Sequence, residues 1–185
     1  MKRILCVLLT FVLLTGCSGE NREMTRCIAL REQLLVSGCS FVGDITADFG
    51  DKVYTFSLNC TADSQGALSF SFIFPEEIAD IGGIIHAGKG KLEYQDTVLA
   101  FPLLAEGEVS PVSAPWLLIN GLRSGYLASC GKNGNEILLT VHDNYEEDAL
   151  LLEVWLSEDI IPLRTDILWK GRRVLSMVIK DFRFV

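Results

Sequence analysis

Cysteines and histidines are the side chains of this 185-residue chain with the most intrinsic reactivity, six of the former and two of the latter. Their spacing decides what chemistry they could support. No C-x-x-C pair occurs, and His86 and His142 lie far in sequence from the cysteines, which opposes a zinc site. Gly83-Ile84-Ile85-His86-Ala87-Gly88-Lys89-Gly90 comes near the phosphate-binding loop. It lacks the Ser/Thr that would hold magnesium, and a strand rather than a helix N-terminus follows it, so it reads as a flexible turn. Gly121-Leu122-Arg123-Ser124-Gly125 sets its serine one place off the nucleophile-elbow spacing and carries no esterase signal. Asp143-Asn144-Tyr145-Glu146-Glu147-Asp148 collects carboxylates in one loop. Its spacing and missing glycine do not suit calcium, and a solvated loop that keeps its flanking strands soluble is the simpler reading. With two histidines a Ser/His/Asp constellation is possible, but nothing in the spacing suggests one, no cofactor site emerges, and a hydrolase is the weakest reading.

One cysteine stands apart. Lys2 and Arg3 precede a stretch from Ile4 to Leu14 that is apolar but for Thr10, and Leu14-Thr15-Gly16-Cys17 follows. Such a stretch is too short to span a bilayer and suits the central region of a secretory signal. The tetrad resembles a bacterial lipobox. That resemblance implies acylation of the Cys17 thiol (a diacylglyceryl and palmitate-type anchor), cleavage before it, and loss of Cys6 with residues 1–16. Residues 17–21 then form a short polar tether, and residues 22–185 a single domain.

Without Lys2 and Arg3 the chain carries 14 basic and 24 acidic residues, a net charge of −10. Nucleic-acid binding needs Lys/Arg patches to neutralise phosphate, so it is excluded as an expected function. The same charge opposes electrostatic adhesion to anionic lipid. Attachment to a membrane must come from acyl chains, each buried methylene contributing roughly 0.8 kcal/mol. The expected location is the cell membrane or envelope, outside the cytoplasm.

Residues 22–37 have helical periodicity, with Met24, Cys27, Ile28, Leu30, Leu34 and Leu35 on one arc and Gly38 as the stop. Arg31 projects from that apolar arc, as a snorkelling or carboxylate-paired arginine would. Strands follow. Residues 41–49 alternate, and Gly50-Asp51 suits a type II′ hairpin that pairs Phe49 with Lys52 and Phe41 with Cys60. The shared face then carries Phe41, Ile45 and Phe49 beside Tyr54, Phe56 and Leu58. Leu68, Phe70, Phe72 and Phe74 alternate with Ser69 and Ser71 in the clearest strand of the chain. Pro75 opens a helical turn, and short strands follow near 84–86, 91–95 and 97–101. Residues 103–115 lack periodicity and lead to a second helix over 116–126. Strands close the chain at 127–131, 136–142, 150–156, 163–169 and 174–184. A three-residue loop at Lys170-Gly171 would face Leu163, Thr165 and Ile167 toward Ile179, Met177 and Leu175. About ten or eleven short strands with two helices predict an α+β, mainly antiparallel fold: a sheet curling around helices.

Cys27, Cys39, Cys60 and Cys130 remain, an even number in an exported chain. Cys27 and Cys39 are held roughly 15–18 Å apart by a continuous helix at 1.5 Å per residue. The hairpin register sets Cys60 diagonally near Cys39. A Cys39–Cys60 disulfide with Cys27–Cys130 as the second pair is one expectation; four buried thiols is the other.

The order of elements resembles the LolA/LolB-like lipoprotein-carrier superfamily: a starting helix, an aromatic-rich hairpin, a mid-chain helix and a closing strand pair. That pair runs from Ile161-Pro162-Leu163-Arg164-Thr165-Asp166 through Gly171-Arg172 to Val178-Ile179-Lys180-Asp181-Phe182. The resemblance implies a curved half-barrel with helices over its concave face, enclosing an apolar cavity for acyl chains, and a protein without enzymatic activity. Phe56, Leu58, Phe70, Phe72, Leu175, Met177 and Ile179 would line such a cavity or fill it as core. The expected function is an anchored lipoprotein that binds or carries a lipid or lipoprotein acyl chain. The alternative is an envelope interaction or sensor module with the same fold and no lipid ligand. No particular protein partner is indicated.

Overall fold

A computed structural model describes residues 22–105, 108–146 and 149–185. The signal segment, Cys17 and the tether lie outside the described residues. The periodic segment expected to be helical is α1, Arg22–Val36, and the second helix is α2, Ala114–Ser124. Thirteen strands accompany them: β1 Cys39–Asp48, β2 Val53–Ala62, β3 Leu68–Phe74, β4 Gly82–His86, β5 Lys89–Tyr94, β6 Thr97–Pro102, β7 Leu104–Ala105, β8 Glu108–Val109, β9 Tyr126–Asn133, β10 Glu136–His142, β11 Leu151–Leu156, β12 Pro162–Trp169 and β13 Arg172–Phe184. Eleven of these build one open antiparallel sheet in the order β6-β5-β4-β3-β2-β1-β13-β12-β11-β10-β9, and β7 with β8 makes a small separate ribbon. The expected α+β half-barrel is the architecture found.

The first hairpin keeps the register that alternation dictates. Phe41 faces Cys60, Ile45 faces Phe56 and Ala47 faces Tyr54. Gly50 takes φ +92°, which its lack of a Cβ permits, and the Phe49 amide donates to the Lys52 carbonyl at 3.0 Å. The last hairpin departs from expectation in its loop and agrees in its facing residues. Trp169 faces Arg172 across a two-residue Lys170-Gly171 turn with both residues at positive φ. A bulge between Leu168 and Ile167 then shifts the register, so that Ile167 faces Leu175 and Thr165 faces Met177. One extra residue in β13 restores the apolar match that a bare two-residue turn would break. Val174 and Leu175, consecutive and both buried, are its mark.

The core lies between the sheet and the helices. α1 buries Cys27, Leu30 and Leu34, a single stripe of an amphipathic helix. α2 is buried nearly all round and sits between α1 and the strands β2, β10 and β13. The two helices cap one another. Arg31 of α1 donates through Nε to the Leu122 carbonyl (2.7 Å) and through Nη2 to that of Gly125 (2.6 Å). Arg123 of α2 donates through Nε to the Leu34 carbonyl (2.9 Å) and through Nη2 to those of Asp63 (2.5 Å) and Ser37 (3.4 Å). Each arginine thus supplies donors and positive charge to the last turn of the other helix, where carbonyls lack intrahelical partners. Contrary to the expectation from sequence, Arg31 pairs with no carboxylate among the described residues; its place in the apolar arc faces a helix end. Burial lowers its pKa, though an arginine stays charged at any neutral pH.

The four described cysteines are buried, and no disulfide joins any of them, which corrects the first expectation. Cys39 faces Ala62 and Cys60 faces Phe41, so these two are diagonal neighbours. Diagonal positions stand about 7–8 Å apart, beyond what a disulfide spans without moving backbone. Cys27 and Cys130 do meet, with sulfurs 3.1 Å apart across the contact of α1 with β9, but as thiols. Burial raises the pKa of all four, that of Cys39 to about 11.

Candidate ligand groove

Aromatic packing on the β1–β2 hairpin builds the first wall of a groove. The Phe49 and Tyr54 rings meet edge-on at 6.2 Å, and Phe56 packs on Phe72 of β3 at 5.5 Å. The second wall is the non-periodic segment between β6 and α2. Its course is fixed by a Ser110 amide bond to the Leu103 carbonyl (2.8 Å) and a Ser113 hydroxyl bond to the Ser110 carbonyl (2.5 Å). The Trp116 indole N–H reaches the Gly66 carbonyl (3.1 Å) and ties the start of α2 to the β2–β3 loop. Between these walls lies an open groove of about 650 Å³ lined by Phe49, Tyr54, Phe56, Phe72, Pro102, Val109, Pro111 and Val112. Among the described residues Asp51, Lys52 and Ser110 are the polar side chains in the same lining. A groove of this size with an apolar floor and few polar groups has the dimensions of a small-molecule site.

Of the seven side chains expected to line a cavity, Phe56 and Phe72 stand in this groove. Leu58, Phe70, Leu175, Met177 and Ile179 are buried in the core instead. Met177 shows why the centre of the sheet is filled. Its sulfur lies 2.8 Å from where a Cβ on Gly43 would stand, so the thioether occupies the space that the glycine leaves. Phe49 and Tyr54 were not among the expected lining residues, although the hairpin register that set them on the face of Phe56 was the signal that could have found them. Val109 to Val112 carry no pattern that could have placed them.

The other residue clusters are accounted for locally. The near phosphate-loop is the tight β4–β5 hairpin, with Ala87 and Gly88 both at positive φ. The Ser124 hydroxyl donates to the Asn120 carbonyl one turn back (2.9 Å). In the acidic loop Asp143 accepts from the Leu150 amide and Asn144 from the Glu146 amide, both at 2.7 Å; Glu147 and Asp148 lie outside the described residues. Burial raises the Asp143 pKa. Among the described residues no three metal-type side chains come together, and no helix is long and apolar enough to cross a membrane.

No family model and no curated protein matches the chain. Among solved structures it is similar to an uncharacterized conserved protein from Thermus thermophilus, with TM-score 0.48 and 11% identity over 89% of this chain and 88% of that one. It is also similar to a putative outer membrane lipoprotein-sorting protein domain from Vibrio parahaemolyticus (0.46, 10%, 85% and 90%). A LolA superfamily protein from Nitrosomonas europaea gives 0.45 and 7% over 86% and 93%.

Proposed function

We propose that this chain is an extracytoplasmic lipoprotein, anchored through an acylated Cys17, that holds a lipid or lipoprotein acyl chain in the groove beside the β1–β2 hairpin. The observation that carries the reading is the groove itself: about 650 Å³, floored by Phe49, Tyr54, Phe56 and Phe72. Removing a chain's apolar surface from water there contributes roughly 25 cal/mol per Å². Lys52 and Ser110 lie in the lining, where the polar end of an amphiphile can find a charge and a hydroxyl. The alternation of the hairpin and the charge, apolar run and cysteine of the first 17 residues support the same reading.

A second reading, a module that docks a protein without lipid, is favoured by one observation: Leu58, Leu175 and Met177 fill the centre of the sheet, so the groove is open and shallow. Native mass spectrometry of the mature chain (residue 17 onward, Cys17→Ser) purified without detergent separates the two. Carriage predicts co-purifying acyl lipid that is lost in Tyr54→Asp, a half-exposed groove residue whose change leaves the core intact. Absence of lipid, together with no binding of added dodecanoate, sinks carriage and leaves the docking module.

A further inference from the structure

A second groove, of about 710 Å³, lies at the β4–β5–β6 edge of the sheet. Its floor is Ile84, Ala100 and Pro102, and its titratable groups are His86, Lys89 and Lys91, all basic. Among the described residues no carboxylate lines it, in a chain of net charge −8. Register explains the grouping. Lys89 stands between His86 of β4 and Pro102 of β6, and Lys91 between Ile84 and Ala100. These cross-strand neighbours share the face turned away from fully buried Ile85, which pairs with Gly90. Glu93, the next residue on that face of β5, lies outside the lining. Lys89 and Lys91 form no ion pair among the described residues. Two exposed ammonium groups on neighbouring same-face positions, with an imidazole directly opposite one of them, offer an anion two charges and a ring N–H donor on one face.

We propose that this groove is a second binding site, separate from the hairpin groove, for an anionic phospholipid. The phosphate lies among Lys89, Lys91 and His86, and the apolar portion lies on Ile84, Ala100 and Pro102. The floor explains why an amphiphile fits better than a bare ion, and the rim explains why it is anionic. On the opposite face of β5 a Cβ on Gly90 would stand 2.1 Å from the Phe101 ring, so the glycine lets that ring pack against the strand behind the groove.

The test is calorimetric titration of the mature chain with Cys17→Ser, in a Tyr54→Asp background that disables the hairpin groove. The probes are dodecyl phosphate below its micelle concentration, inorganic phosphate and dodecanol. Dodecyl phosphate is expected to bind with one-to-one stoichiometry and to weaken about tenfold for each of Lys89→Ala and Lys91→Ala. It should also weaken with added salt. Inorganic phosphate and dodecanol should each bind at least tenfold more weakly than dodecyl phosphate. Equal binding of dodecanol, equal binding of inorganic phosphate, or indifference to both lysine variants would overturn the site. In native mass spectra, lipid removed by Tyr54→Asp alone reports the hairpin groove, and phospholipid that survives Tyr54→Asp but is lost when Lys89→Ala and Lys91→Ala are added reports the second groove, so the two sites fail independently.

Discussion

Truncating Arg123 tests the reciprocal helix caps most directly. The side chain is 9% exposed and donates to three carbonyls on two different segments, Leu34 and Ser37 at the end of α1 and Asp63 after β2. In Arg123→Ala the Leu34 carbonyl, whose bond is buried, loses its donor, while those of Ser37 and Asp63 are near enough to solvent to find water. One orphaned buried acceptor costs about 1–3 kcal/mol, and loss of a charged donor adds to it. The aliphatic stem also leaves its packing. The sum expected is about 3 kcal/mol, which in a domain of this size lowers Tm by about 6–12 °C. Arg123→Lys keeps the charge and offers a point donor in place of a fork, so it should fall between wild type and alanine. Arg164→Ala is the control: its ion pair with Glu136 is solvent-exposed and should cost under about 1 kcal/mol. Urea unfolding of the chain from residue 17 onward reads all three. A loss of less than about 0.5 kcal/mol for Arg123→Ala, matching a surface substitution, would refute the capping argument.

Gly90→Ala should destabilise the β5–β6 edge, since its Cβ would meet the Phe101 ring, and Gly90→Ala with Phe101→Leu should recover part of the loss in thermal melts. Burial raises the Asp143 pKa in the folded chain above its unfolded value, so the ionised carboxylate is a cost to folding at neutral pH that vanishes below the unfolded pKa. Asp143→Asn keeps the acceptor for the Leu150 amide; it should melt higher than wild type at pH 7 and equally at pH 3, and the reverse order would contradict the burial argument. The Asp44 carboxyl has the opposite sign. Hydrogen bonds from Lys180 and Ser57 lower its pKa, so Asp44→Asn should cost a little stability at pH 7, an effect that fades as pH falls through the folded pKa. Mild oxidation with diamide should join Cys27 to Cys130 and leave Cys39 and Cys60 as thiols, since only the first two sulfurs touch; peptide mapping without reduction decides it.

Element order and most strand boundaries were readable because alternation with period two and helical stripes with period 3.6 are both enforced by burial. The β1–β2 register followed from one glycine turn. The β12–β13 hairpin shows the limit: facing residues were fixed by hydrophobic matching, but a bulge and a longer loop produce the same match, and only adjacent Val174 and Leu175 hint at the former. Arg31 gave a signal by breaking the apolar arc of α1 but its partner was not readable, and Arg123 gave none, because a helix end that needs a donor leaves no trace in the donor's own periodicity. The groove was half legible. Phe56 and Phe72 belonged to a patterned face, whereas residues 109–112 are positioned by loop hydrogen bonds that sequence does not announce. Whether inward side chains fill a sheet or line a hollow depends on one glycine, Gly43, and one methionine, Met177, meeting across strands.

The first strand and the last lie side by side in the middle of the sheet, with Ile45 against Met177 and Gly43 against Ile179. Each half, β1 to β6 and β9 to β13, is a chain of local hairpins, yet the seam between them joins residues far apart in sequence. The two halves can therefore become one curved surface only after the C-terminal strand has been made and has docked, a late and slow event in any chain dominated by distant pairings. Until then neither half has the neighbour strand that completes its sheet, so the β1–β13 seam is where the two halves become one.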